Sequence, residues 1–194
     1  MRHSKNRKTI TEFLESEQTT ALVQNLIKKE KAHPSIILGQ DRANASELTR
    51  IIYRSLSLIL WNKLLEKSEK ETILVSKSPN VEQIISAFLR NGFPSENIIY
   101  EGGERCGHYR LNLGYSIIDL HKDRYQISRH FSLYRLDRPG LPGISADDFV
   151  QLTLWFRDKL PELKAASDEI ATKIAADQMV KIIQRTARNA ARAR

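Results

Sequence analysis

Three of the five histidines, His108, His121 and His130, fall close together, with Asp119 between the first two. Imidazole titrates near neutrality and carboxylate is a hard anionic ligand. Such a set could hold a divalent metal or perform general acid–base chemistry, as in a metal-dependent nuclease or phosphodiesterase. The spacing matches no established ligand pattern, and an ordinary solvated sheet face would carry the same residues. Asp119 also stands one residue too far before Lys122 for the acid-x-lysine arrangement of metal-dependent nucleases, and Glu101 and Glu104 would complete such a site only if the glycine loop folded toward it. Gly102 and Gly107 have the separation of a phosphate-binding loop, but His108 and Tyr109 stand where lysine and serine or threonine are required. The single cysteine, Cys106, excludes an internal disulfide and a cysteine-only zinc site.

A second chemistry is written in the cations. The 194-residue chain carries 31 Lys and Arg against 23 Asp and Glu, a net charge of +8, and most of the excess sits at its ends. Arg2, Lys5, Arg7 and Lys8 precede any acid, and Lys181, Arg185, Arg188, Arg192 and Arg194 close the chain with none between them. The body between these two arms is close to neutral. Cationic arms gain affinity for polyanions by releasing condensed counterions, a sequence-independent and salt-sensitive effect; basic ends that only aid solubility are the plainer reading. Within the body, Arg105, Arg110, Lys122, Arg124, Arg129, Arg135 and Arg138 outnumber three acids and alternate with Tyr109, Tyr115, Tyr125, Phe131 and Tyr134. Guanidinium groups bind phosphate in a bidentate manner and aromatic rings stack on unpaired bases, so this stretch could serve as a nucleic-acid platform. Strand alternation puts Tyr109, Tyr125 and Phe131 toward the core and leaves Tyr134 as the chief stacking candidate.

The elements that must position these groups follow from periodicity. Residues 10–30 read as an amphipathic helix closed by Pro34. Asn44 with Glu47 announces a second, strongly apolar helix through Leu65, and TILVS at 72–76 reads as a buried strand. Asn80 caps a helix that ends at Gly92, and NIIYE at 97–101 reads as another strand, giving a β-α-β crossover if the two strands lie parallel. Three alternating segments, HYRLNL, YSIIDLHK and RYQISRHFSLYRL, then form an antiparallel meander with turns at Gly114-Tyr115 and Asp123-Arg124. In that register Arg110 faces Asp119, His108 faces His121, and His121 faces Gln126. Leu111, Leu113, Ile118, Leu120 and Ile127 share the core face, which Arg129 interrupts. The loop 137–143 separates the meander from a helix begun by Ser145 with Asp148. Pro161 is expected to break or kink it before a last, alanine-rich helix over 162–190. There, Lys181, Arg185, Arg188 and Arg192 form one stripe, with an apolar stripe of Ile170, Ile174, Met179, Ile182 and Ile183 beside it.

The sequence therefore predicts an α+β fold: N-terminal helices, a largely antiparallel β-α-β-β-β sheet, and C-terminal helices. Residues 1–9 form a basic arm, 10–180 a single domain and 181–194 a basic helical tail. The expected activity is nucleic-acid binding without catalysis or cofactor, through phosphate contacts from Arg2, Lys5, Arg7, Lys8, Arg105, Arg110, Lys122, Arg124, Arg135, Lys181, Arg185, Arg188 and Arg192; DNA and RNA are not distinguished. Two alternatives stand beside it. One is the metal-dependent nuclease using His108, Asp119, His121 and His130; the other is a subunit that docks on a protein partner through its C-terminal helix. No apolar run spans a membrane and no signal segment opens the chain, so the expected compartment is the cytoplasm and no membrane partner is expected.

Overall fold

Helix boundaries in this chain are set by side chains that compete with the backbone for its hydrogen bonds. The computed structural model describes residues 7–33, 44–73, 79–102, 108–114, 116–121, 124–127, 134–135 and 144–192, with the backbone alone at 121, 124–127 and 134–135. Thr9 begins helix α1 (Ile10–Glu15) with a reciprocal box: its hydroxyl accepts from the Glu12 amide and the Glu12 carboxylate accepts from its own. The single helix expected over 10–30 is in fact two. Ser16 adopts extended backbone (φ −66°, ψ 143°), donates its hydroxyl to the Phe13 carbonyl and accepts from the Thr19 amide, so it ends α1 and starts α2 (Glu17–Ala32).

Helix α3 (Ala45–Glu71) starts where expected, the Asn44 side chain accepting from the Glu47 amide at 2.9 Å. Helix α4 (Val81–Arg90) is capped by Asn80 with Gln83 in the same reciprocal way, and Gly92, at φ +76°, stops it. Helix α5 (Ala146–Arg192) corrects the expected break: it runs for 47 residues with Pro161 inside it. Proline removes one backbone hydrogen bond, but buried Leu160 and Leu163 on either side and strong helix formers beyond outweigh that loss.

The chain divides into two compact units. One comprises residues 1–23 and 58–160, the other 24–57 and 161–194. The first holds an aromatic cluster in which Trp61 meets Phe149 (6.0 Å) and Phe156 (5.0 Å) edge-on, and Phe88 meets Phe93 and Phe149. The second buries Leu26, Leu48, Ile52, Tyr53, Leu56, Leu163 and Ile170, with ion pairs Lys31–Glu169 and Lys164–Asp168 at its surface.

The sheet belongs to the first unit. Its strands are β1 (Ile98–Glu101), β2 (His108–Asn112), β3 (Ile117–His121), β4 (Arg124–Ile127) and β5 (Tyr134–Arg135), antiparallel and in sequence order. The α+β class and the order of helices, sheet and long C-terminal helix are as the sequence predicts. Three details differ. The strand at 97–101 pairs antiparallel with β2; of TILVS, Thr72 forms a parallel bridge with Lys8 and residues 74–76 lie outside the described residues. The third meander segment is two strands, β4 and β5, that pair with each other through Gln126–Arg135 and Ile127–Tyr134. Finally, β3 and β4 pair Asp119 with Gln126 and His121 with Arg124, two positions from the expected register. An even shift leaves every side chain on its face, because strand side chains alternate with period two. Leu111, Leu113, Ile118 and Leu120 are accordingly buried.

Candidate nucleic-acid interface

The β2–β3 hairpin places the first candidate cluster. Gly114, at φ +92°, makes the turn, with the Leu113 amide donating to the Ser116 carbonyl at 2.8 Å and the Gly114 amide to the Asn112 side chain. From that turn, pairing sets Arg110 opposite Asp119 and His108 opposite His121, as the sequence register requires. The Arg110 guanidinium is held from both sides. Its Nε donates to Asp119 Oδ1 at 3.2 Å, and its two terminal nitrogens meet the Glu101 carboxylate on β1, Nη2 at 2.8 Å from Oε2. His108 Nε2 lies 3.2 Å from Glu101 Oε2.

This geometry gives Arg110 a different employment from the one its charge suggested. A guanidinium with a carboxylate on each side offers little positive field to a phosphate, and it engages Oδ1 of Asp119 and both oxygens of Glu101, for which a divalent cation would have to compete. Among the described residues no three histidine, cysteine or acidic side chains converge as metal ligands. His108 and Asp119 are on the same face, but Arg110 is bound to the aspartate; the His121 side chain and His130 lie outside the described residues. Glu101 reaches the cluster through β1–β2 pairing. At the edge strand, exposed Tyr100 sits 5.0 Å from the Tyr109 ring, which is half-buried rather than fully in the core.

The other sheet cations are placed by backbone only or not at all. Arg124 and Arg135 lie on β4 and β5, opposite His121 and Gln126, while Arg105 and Lys122 lie outside the described residues. So do Arg2 and Lys5 of the N-terminal arm, and with them Tyr115, Arg129, Phe131 and Arg138. Arg7 is exposed. Lys8 is built into the fold: its amide donates to the Glu71 carbonyl, its carbonyl accepts from the Ile73 amide, and its Nζ stands 3.8 Å from the Glu71 carboxylate.

The second cluster is the end of α5. Lys181, Arg185, Arg188 and Arg192 are all exposed, and none has an ion-pair partner among the described residues. At about 100° per residue they occupy an arc of about 60° and span about 17 Å along the axis. No protein-family model, curated protein or solved structure matches the chain.

That geometry corrects the expected partition of α5. Nine residues are two and a half helical turns, so Ile170 and Met179 point to opposite sides, as do Ile174 and Ile183. The buried residues Leu163, Ala166 and Ile170 line up with the basic stripe instead, which prolongs their face beyond Asp177. Sequence reading also passed over Arg50 and Arg54, one turn apart on α3. Burial, and then the neighbouring Arg50, pull the Arg54 guanidinium below its ordinary value. Neither has an ion-pair partner among the described residues, and their i, i+4 spacing was the available signal. No helix among the described residues is long and apolar enough to cross a membrane.

Proposed function

We propose that this protein binds nucleic acid through phosphate contacts, and that the basic stripe of α5 makes the principal ones. The observation that carries the reading is the exposed run Lys181, Arg185, Arg188 and Arg192 on one helical face, in a segment without a single acid from Gln178 to the C-terminus. Its length of about 17 Å corresponds to about five base pairs of duplex, enough for each cation to meet a phosphate. Arg110 is assigned a structural part in this reading, since two carboxylates already neutralise it. Arg2, Lys5 and Arg7 add a second cationic arm, and a cytoplasmic location suits a chain with one cysteine and no disulfide to maintain.

The test is anisotropy with a random-sequence duplex and a single strand of equal length across a salt series. Replacing all four stripe residues by alanine should flatten the slope of log affinity against log salt by about 0.9 per lost phosphate contact on duplex. An unchanged slope overturns the assignment to α5. Absence of binding by the wild type at low salt overturns nucleic-acid binding itself.

A further inference from the structure

The terminal segment of α5 has a second face, and phosphate has no use for it. Met179, Val180, Ile182 and Ile183 are all more than half exposed, the largest such group in the described residues. On the helix they share about half the circumference with Thr186, Ala187, Ala190 and Ala191, and the centre of that arc lies about 180° from the basic stripe. No charged residue interrupts it.

This separation restricts what can cover the apolar face. A helix lying on an anionic bilayer needs its cations at the flanks of the apolar face, where they reach the headgroups; here they point directly away. A strongly acidic partner on the apolar face would likewise find no cation to meet. A surface without charge of its own fits, and a second copy of the same segment is such a surface. Two copies joined by their apolar faces turn their basic stripes outward on opposite sides, so that the like charges are kept apart by both helices. The side chains also decide direction. The large ones, Met179 to Ile183, precede the small ones, Thr186 to Ala191. Antiparallel packing about Ile183 sets Ile183 alone against its own copy, Met179 against Ala187 and Ala176 against Ala190, whereas parallel packing sets every large side chain against its own copy.

We propose that the 176–191 segment of α5 pairs antiparallel with the same segment of a second copy, Ile183 lying near the two-fold axis. The pairing uses the face opposite to the basic stripe, so it stands or falls independently of nucleic-acid binding. The face offers four large apolar side chains, Met179, Val180, Ile182 and Ile183, beside alanines, so the pair is expected to form at about micromolar concentration.

Sedimentation equilibrium of the full chain over a concentration series reads the outcome. The wild type should shift from the monomer mass to twice that mass; Ile183→Asp, at an exposed position, should remain monomeric with unchanged helix content, and Arg188→Ala should associate as the wild type does. A wild type that stays monomeric at every concentration overturns the proposal, including the case in which it binds neutral or anionic vesicles instead. Association that survives Ile183→Asp overturns it as well. Direction is read by oxidative cross-linking in a Cys106→Ser background: Ile183→Cys should cross-link and Met179→Cys should not, because antiparallel packing holds the latter pair about 12 Å apart along the axis. Equal cross-linking of both overturns the antiparallel arrangement.

Discussion

Arg110 and Asp119 face each other across β2 and β3, and the carboxylate of this pair is almost wholly withdrawn from water, with 4% of its side chain accessible. An exposed ion pair contributes at most about 1 kcal/mol, whereas a buried charge stripped of its partner is far more costly. Arg110→Ala should therefore destabilise the protein by about 3–5 kcal/mol in urea unfolding, and Glu101→Gln by much less, since Glu101 keeps access to solvent. Equal losses for the two variants would show that Asp119 does not depend on Arg110.

Addition of Mn²⁺ or Zn²⁺ should leave the melting temperature unchanged, because the Arg110 guanidinium already engages Asp119 Oδ1 and the Glu101 carboxylate and would repel a second cation there. Stoichiometric metal uptake by the wild type that Asp119→Asn or His121→Ala abolishes would instead establish a metal site on this face.

Gly114 should resist replacement. At φ +92° an alanine pays for a backbone conformation that L-residues avoid, and no atom lies within 4 Å of the position its Cβ would take, so the cost is conformational alone. Gly114→Ala should lower stability by about 1–2 kcal/mol, and Gly114→Asn by less. Denaturant titration of the two variants side by side checks the order.

Asp168 should make a small acid-labile contribution. Hydrogen bonds from Lys164 and then Thr49, with the Lys164 charge behind them, hold its carboxyl below the ordinary aspartate value against the opposing pull of burial. A folded value below the unfolded one means that the stabilisation is present in full above the unfolded value near 3.8 and disappears as the pH falls through the folded one. Lys164→Ala should shrink the stability lost below that pH, and because the pair is exposed, added salt should mask the difference.

What was legible in the sequence was what depends on near neighbours. Asn44 with Glu47, and Asn80 as a cap, state helix starts within four residues, and Thr9 with Glu12 carried the same signal. The β2–β3 register was legible because Gly114 allows one place for the turn. The β3–β4 turn contains no glycine, and there the expected pairing missed by two positions. Between Arg124 and Leu136 no glycine, proline or asparagine marks a turn, and Arg129, which interrupts the apolar alternation, was the one local sign that β4 and β5 are separate strands. Glu101 as the second partner of Arg110 depends on how β1 returns past residues 103–107, a pairing that composition does not encode. The two sides of terminal α5 were legible in residue type; counting half-turns from Ile170 to Met179 was the step that separated them.

The division of the chain also fixes an order of events during synthesis. The unit that carries the basic stripe is assembled from residues 24–57 and 161–194, with about a hundred residues of the other unit between them. As translation proceeds from the N-terminus, its first half leaves the ribosome early and lacks the rest of its unit until residues 161–194 are made. Leu48, Ile52 and Leu56, buried in the folded protein, lie in that first half and precede residues 161–194 of the same unit by more than a hundred positions. A nascent chain arrested before Pro161 therefore carries residues 24–57 without the other half of their unit and without the cations Lys181, Arg185, Arg188 and Arg192.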